Sequence, residues 1–172
     1  MIIVEPGPKV VTFGDVPGGG VFIFGRRLDD VEKTFVAMRV GDADKTPGLL
    51  VLSDGPRPAG RSPVWSEEAV RNKPLLLLEN VGVELGLPIT AGATISGDDG
   101  KDLWIVLLQS ERAYIVASNE STSFWFDIET GSVVGADYNS VRAAFGKWRV
   151  VVDRPGAARQ VVCDVVAGAP KP

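Results

Sequence analysis

Residues 147–152 read Lys-Trp-Arg-Val-Val-Val, and the alternation fixes what kind of element they can form. In an extended chain Trp148, Val150 and Val152 share one face, and Lys147, Arg149 and Val151 share the other. That is a strand with one buried face. Runs of this size recur along the chain, separated by Gly, Pro and Asp. Strands are expected near 8–13, 20–25, 34–40, 48–53, 74–82, 92–96, 103–109, 112–118, 123–129, 131–135, 147–153 and 159–166. The stretches 75–78 and 103–108 are apolar on both faces, which predicts central strands covered on both sides. Gly18-Gly19-Gly20 ahead of Val21 reads as a turn feeding a strand.

Helix is scarce. Ser66-Glu67-Glu68-Ala69-Val70-Arg71 opens with a capping residue and two early carboxylates, both favourable at the positive end of a helix. Asn139 to Phe145 also begins with a cap, puts Val141, Ala144 and Phe145 on one helical face, and is followed by Gly146. Each helix would have about two turns, too few to persist without packing on a sheet.

The two halves follow one plan. In the first, the strand 49–52 runs into Asp54-Gly55, a loop, the capped helix, Lys73 and the strand 74–78. In the second, the strand 124–128 runs into Thr130-Gly131, the segment to Asn139, the second helix, Lys147 and the strand 148–152. The offsets are 76 residues at the Gly turns and 74 at the lysines. The expected fold is therefore mainly β: two small related barrel-like or sandwich units, each with one short helix. They would occupy 1–84 and 85–172, the second with an appended C-terminal strand. The alternative is a single β domain over 1–172.

At 172 residues the chain can bury roughly 70% of its unfolded surface and needs no staple. Lys and Arg number 18 against 22 Asp and Glu, so no general attraction to phosphates or anionic lipid is expected. Histidine is absent altogether. That excludes Ser-His-Asp and Cys-His catalysis and any His-containing zinc site. Cys163 is the single cysteine, so no intrachain disulfide can form, and in Val161–Val166 it reads as a small hydrophobe. No apolar run approaches the ~20 residues of a membrane helix, and the N-terminus lacks signal-peptide character. A soluble, cytoplasmic protein without a membrane partner is the expectation.

Asp127-x-Glu129, on the apolar run Phe124–Ile128, resembles the first metal-binding motif of DEDD-type 3′–5′ exonucleases. Membership of that family implies further carboxylates well downstream on helices. Only 43 residues follow Glu129, and their acids are Asp137, Asp153 and Asp164. Strand alternation puts Phe124, Phe126 and Ile128 on one face and Trp125, Asp127 and Glu129 on the other, with a hairpin turn over 129–132. The acids at Asp42, Asp44, Asp98, Asp99 and Asp102 lack calcium-loop spacing, and neither Gly14–Gly20 nor Gly41–Thr46 matches a phosphate loop. No cofactor and no metal are expected.

Thr12-Phe13-Gly14-Asp15-Val16-Pro17-Gly18-Gly19-Gly20-Val21-Phe22-Ile23-Phe24 resembles an opening met in small β-rich bacterial and phage proteins of undescribed function, and Asp127–Gly131 is similar to a hairpin found later in such chains. The resemblance implies a small β fold and no activity.

The expected function is a non-enzymatic binding or structural module that contacts a protein partner or self-associates. The candidate contact residues are Trp65 and Trp125, which half-exposed would mark a contact surface, with Arg57 and Arg61 of the Pro/Gly-rich loop 54–61. One alternative is a carboxylate- or Lys-based hydrolase drawing on Asp127, Glu129, Asp137, Lys147 and Asp153. The other is a single-strand nucleic-acid-binding β-barrel using Arg142, Lys147, Arg149, Arg154 and Arg159 around Trp148. Nucleic acid is the less expected partner, because Trp148 alternates with Val150 and Val152 towards the core.

Overall fold

The computed structural model describes residues 8–28, 31–41, 47–53, 64–88, 105–109, 111–119, 122–135 and 141–166. The protein is mainly β, as expected, and every strand pair among the described residues is antiparallel. The strands are β1 (Lys9–Val11), β2 (Val21–Leu28), β3 (Val31–Val40), β4 (Gly48–Val51), β5 (Val64–Ser66), β6 (Leu75–Leu77) and β7 (Val81–Leu85) in the first half. The second half holds β8 (Ile105–Gln109), β9 (Arg112–Asn119), β10 (Thr122–Asp127), β11 (Val133–Val134), β12 (Val141–Phe145), β13 (Lys147–Val152) and β14 (Gln160–Val166).

They form three open sheets, ordered β1-β6-β2-β3-β4-β5, β11-β10-β9-β8-β12 and β14-β13-β7. In the first sheet the meander β2 to β5 is closed off by β6, which returns to pair with β2. In the second the meander β8 to β11 is closed off by β12, which returns to pair with β8. After each returning strand the chain leaves its sheet as β7 or β13, and these two pair with each other, Val83 opposite Val150. The boundary expected after residue 84 falls inside β7, one residue before its end, and the partner strand β13 belongs to the other half.

Alternation decides the packing. Val21, Val36, Met38, Val40, Leu50 and Leu52 of the first sheet meet Ile115, Ala117, Phe126 and Phe145 of the second and Trp148, Val150 and Val165 of the third in one cluster. The other face of the first sheet carries Phe22, Phe24, Phe35, Ala37, Leu49 and Val51, covered by Phe13, Val16 and Val70. On the far face of the second sheet Tyr114, Val116, Trp125 and Ala144 form a third cluster.

The helices depart from expectation. The expected helix 66–71 is one 3-10 turn, Glu67–Ala69, with Ser66 ending β5 and Arg71 bonded to Glu67 at 2.9 Å. The expected helix 139–145 is a strand over its described part, β12; Asn139 and Ser140 lie outside the described residues. The cause is a bulge between Val141 and Ala143. An extra residue shifts the pleat, so Val141 and Ala144 share one cluster while Ala143 and Phe145 join another. Such three-residue spacing imitates a helical stripe. The single strand expected over 74–82 is two, β6 and β7, separated by a bend in which Asn80 has φ 54°. The strand expected near 92–96 lies outside the described residues.

Candidate functional site

Arg57 and Arg61 lie outside the described residues, as do Asp137 and the acids at 42, 44, 98, 99 and 102. Trp65 stands on β5 opposite Leu49 and is half-buried. Its ring lies 5.4 Å from Phe35 and 6.2 Å from Phe24, centroid to centroid, with the Arg26 guanidinium 5.0 Å above it. Trp125 is 1% exposed, so it is no contact surface. Its face of the sheet reads as solvated from Asp127 and Glu129, but Tyr114, Val116 and Ala144 are buried beside it. The structure does not bring the two tryptophans together: they belong to separate clusters in different sheets.

Asp127 is the buried acid among the described residues, at 3% exposure. One carboxylate oxygen accepts the backbone N–H groups of Glu129 at 2.9 Å and Thr130 at 3.0 Å. The other accepts Arg112 Nη1 at 3.3 Å. Its charge is thus used to hold the turn between β10 and β11, a local side-chain-to-backbone motif typical of Asp. Glu129 is exposed. Asp153 bonds Arg159 at 2.6 Å, and Lys147 is exposed at the start of β13. Among the described residues no three acid or cysteine side chains come together as a metal ion would require. The basic tract is broken up as well. Arg149 lies between Asp164 at 3.2 Å and Glu84 at 3.9 Å, Arg159 is shared by Asp153 and Glu84, and Trp148 is 3% exposed.

The two motifs that carry the resemblance meet. The loop 12–20 packs against the turn 127–131, and Arg39 to Gly41 at the end of β3 bridges the two by backbone hydrogen bonds. Gly19 N donates to the Arg39 carbonyl at 3.0 Å, and Gly41 N to that of Gly131 at 3.1 Å. A Cβ on Gly18 would run into the Thr130 carbonyl, and one on Gly19 would come within 2.8 Å of the Ile128 oxygen. Arg39 locks the loop: its Nη1 donates to the carbonyls of Phe13 at 3.3 Å, Gly14 at 3.2 Å and Val16, and its guanidinium lies 5.2 Å from the Phe13 ring centroid. Arg39→Ala leaves those carbonyls without their cation and costs about 2 kcal/mol of stability, readable as a lower urea midpoint at unchanged slope. Arg39→Lys recovers only part, since an ammonium keeps the charge but loses the guanidinium plane over the Phe13 ring.

The same loop has an acid-sensitive clasp. The Thr12 hydroxyl donates to Asp15 Oδ2 at 2.7 Å and the Thr12 N–H at 3.3 Å. These bonds, the hydroxyl first, hold the Asp15 carboxyl below its ordinary pKa. A depressed carboxyl stabilises the fold above its unfolded value, and the contribution disappears as pH falls through the folded one. Thr12→Val therefore lowers stability in the neutral region and leaves the acid end nearly unchanged, so the fall in stability between the two becomes shallower.

A further set of polar side chains lines an open groove of about 600 Å³ on the second sheet: Gln109, Glu111, Arg112, Tyr114 and Arg142. Gln109 and Arg112 face each other across the β8–β9 hairpin, and Gln109 is also paired with Val141, next to Arg142. Sequence reasoning missed this groove. It placed Arg142 on a helix and in a basic tract, and nothing in local spacing joins 109–114 to 142. With the fold and these sites described, comparison finds no family model, curated protein or solved structure that matches the chain.

Proposed function

We propose that the protein is a non-enzymatic binding or structural module, acting through a protein partner or by self-association, in the cytoplasm, and built from a duplicated β unit. One observation supports this reading above others. The groove on the second sheet offers two guanidinium groups, an amide, a phenol and the Glu111 carboxylate around an open concavity, a polar recognition surface. Asp127, the acid that looked most like a catalytic group, is committed to its turn. The recurrence of one strand order in both halves, and the pairing of β7 with β13, support the duplication. The two resemblance motifs meet at a junction of backbone and glycine, which fits an architectural role for them and the likeness to small bacterial and phage proteins.

Light scattering over a range of concentrations tests self-association: a mass that rises above the monomer is the expected result. Turnover of ester, phosphoester or glycoside reporters that is abolished by substituting Glu129, Lys147 or Asp153 would overturn the module in favour of the hydrolase. Salt-dependent retention on oligonucleotides would favour the nucleic-acid reading instead.

A further inference from the structure

We infer that the groove bounded by Arg112 and Arg142 binds carboxylate side chains of an acidic segment on a partner protein. The inference rests on the binding-module reading and names the chemistry of its contact.

The two cations are placed by different means. Arg112 is anchored from below: Nη1 bonds the buried Asp127 carboxylate at 3.3 Å, and that carboxylate is fixed by two turn N–H groups. The guanidinium side chain is nonetheless 67% exposed. One of its five N–H donors goes to Asp127 in this geometry, which leaves donors for a ligand on a group already held in position. Arg142 is placed by the bulge. The register shift between Val141 and Ala143 leaves it as the extra residue of β12, exposed, while its neighbours Val141 and Ala143 pack on the third and the central cluster. Bulges re-aim side chains in this way and are common beside binding sites. No ion pair engages Arg142 among the described residues.

The rest of the groove selects the ligand. Tyr114 packs on Trp125 with ring centroids 6.0 Å apart, so its position is fixed by the third cluster. Gln109 stands on the lining opposite Arg112. Glu111 is the acid on the lining, and Asp127 lies beneath Arg112. Two guanidinium groups against these two carboxylates leave no net formal charge, so geometry and not field selects the ligand. A planar carboxylate matches the guanidinium fork and can take two parallel hydrogen bonds. An extended acidic peptide fits an open groove and spreads its charges so that one carboxylate meets each arginine.

The test uses the full-length, isotope-labelled protein and three probes: a peptide rich in Asp and Glu, its Asn/Gln counterpart, and inorganic phosphate. The acidic peptide should produce saturable shifts at the amides of Arg112, Tyr114 and Arg142 and at the Trp125 indole. Arg142→Gln, an exposed change that leaves the Asp127 anchor intact, should weaken that binding about tenfold. Saturation by phosphate but not by the peptide, equal binding of the Asn/Gln peptide, or unchanged affinity in Arg142→Gln would each overturn the inference. So would an absence of shifts with all three probes. Light scattering keeps the broader reading separate: a protein that self-associates yet ignores acidic peptide refutes the carboxylate site alone, while reporter turnover refutes the module itself.

Discussion

Gly131→Ala lowers stability by about 3–4 kcal/mol and the thermal midpoint by roughly 10 °C. Two causes add. Gly131 has φ +69°, where an L side chain sets its Cβ against its own carbonyl. A Cβ there would also run into the Arg39 carbonyl and come within 2.6 Å of Gly19 N. Both obstacles are backbone and are hydrogen-bonded to each other, and Gly131 is itself tied to Gly41 just beyond Arg39, so no flexible side chain can move aside. Two control glycines separate the contributions. Gly156 has φ +75° with open space around its missing Cβ, so Gly156→Ala carries the conformational cost alone, about 1–2 kcal/mol. Gly135 has ordinary φ and open space, so Gly135→Ala is neutral or slightly stabilising. Denaturant midpoints of the three variants check the order. A Gly131→Ala loss no larger than that of Gly156→Ala would mean that the junction does not press the two halves together.

This junction shows where sequence stops being informative. The strand 147–152 was legible from its first four residues, and Trp148, Val150 and Val152 are indeed 3%, 1% and 9% exposed. Val151, on the face of Lys147 and Arg149, is however buried as well at 2%, where the register with β14 shifts. The alternation of Phe124, Phe126 and Ile128 against Trp125 and Asp127 was equally clear, and the first three all join the central cluster. Single-strand periodicity reports a face but not what covers it. Trp125 is therefore a candidate contact residue on sequence alone, because a covered far face and a solvated one look alike when Asp127 and Glu129 follow. Val141 to Phe145 passed for a helix because a bulge inserts one residue into a period of two. The contact between Gly18-Gly19 and Glu129-Thr130-Gly131 left almost no trace: it joins distant backbone, and its requirement is the lack of side chains. The one available sign was a third glycine in Gly18-Gly19-Gly20, more than a turn needs. The groove was hidden for a related reason, since its arginines are brought together by a hairpin and a returning strand that only the topology reveals.

Trp125→Ala removes about 3–5 kcal/mol of stability, comparable to or larger than the loss at Gly131. The indole sits on β10 between Val116 of β9 and Val134 of β11, with Tyr114 and Ala144 against it, and at 1% exposure little of its surface remains in water. Truncation deletes that buried area and leaves a cavity in a sheet face whose backbone ladders on both sides resist collapse. Trp125→Phe keeps most of the ring volume and should recover more than half of the loss. Trp65→Ala is the informative contrast: Trp65 is half-buried and leans on Phe24, Phe35 and Arg26, so its loss should be the smaller of the two. A contact-surface role for Trp125 predicts the opposite pattern, with stability intact and association weakened. Urea midpoints measured beside light-scattering masses distinguish these outcomes. Because Tyr114 touches both Trp125 and the groove, Trp125→Ala should also loosen the floor on which Arg112 and Arg142 act, weakening acidic-peptide binding even where the protein remains folded.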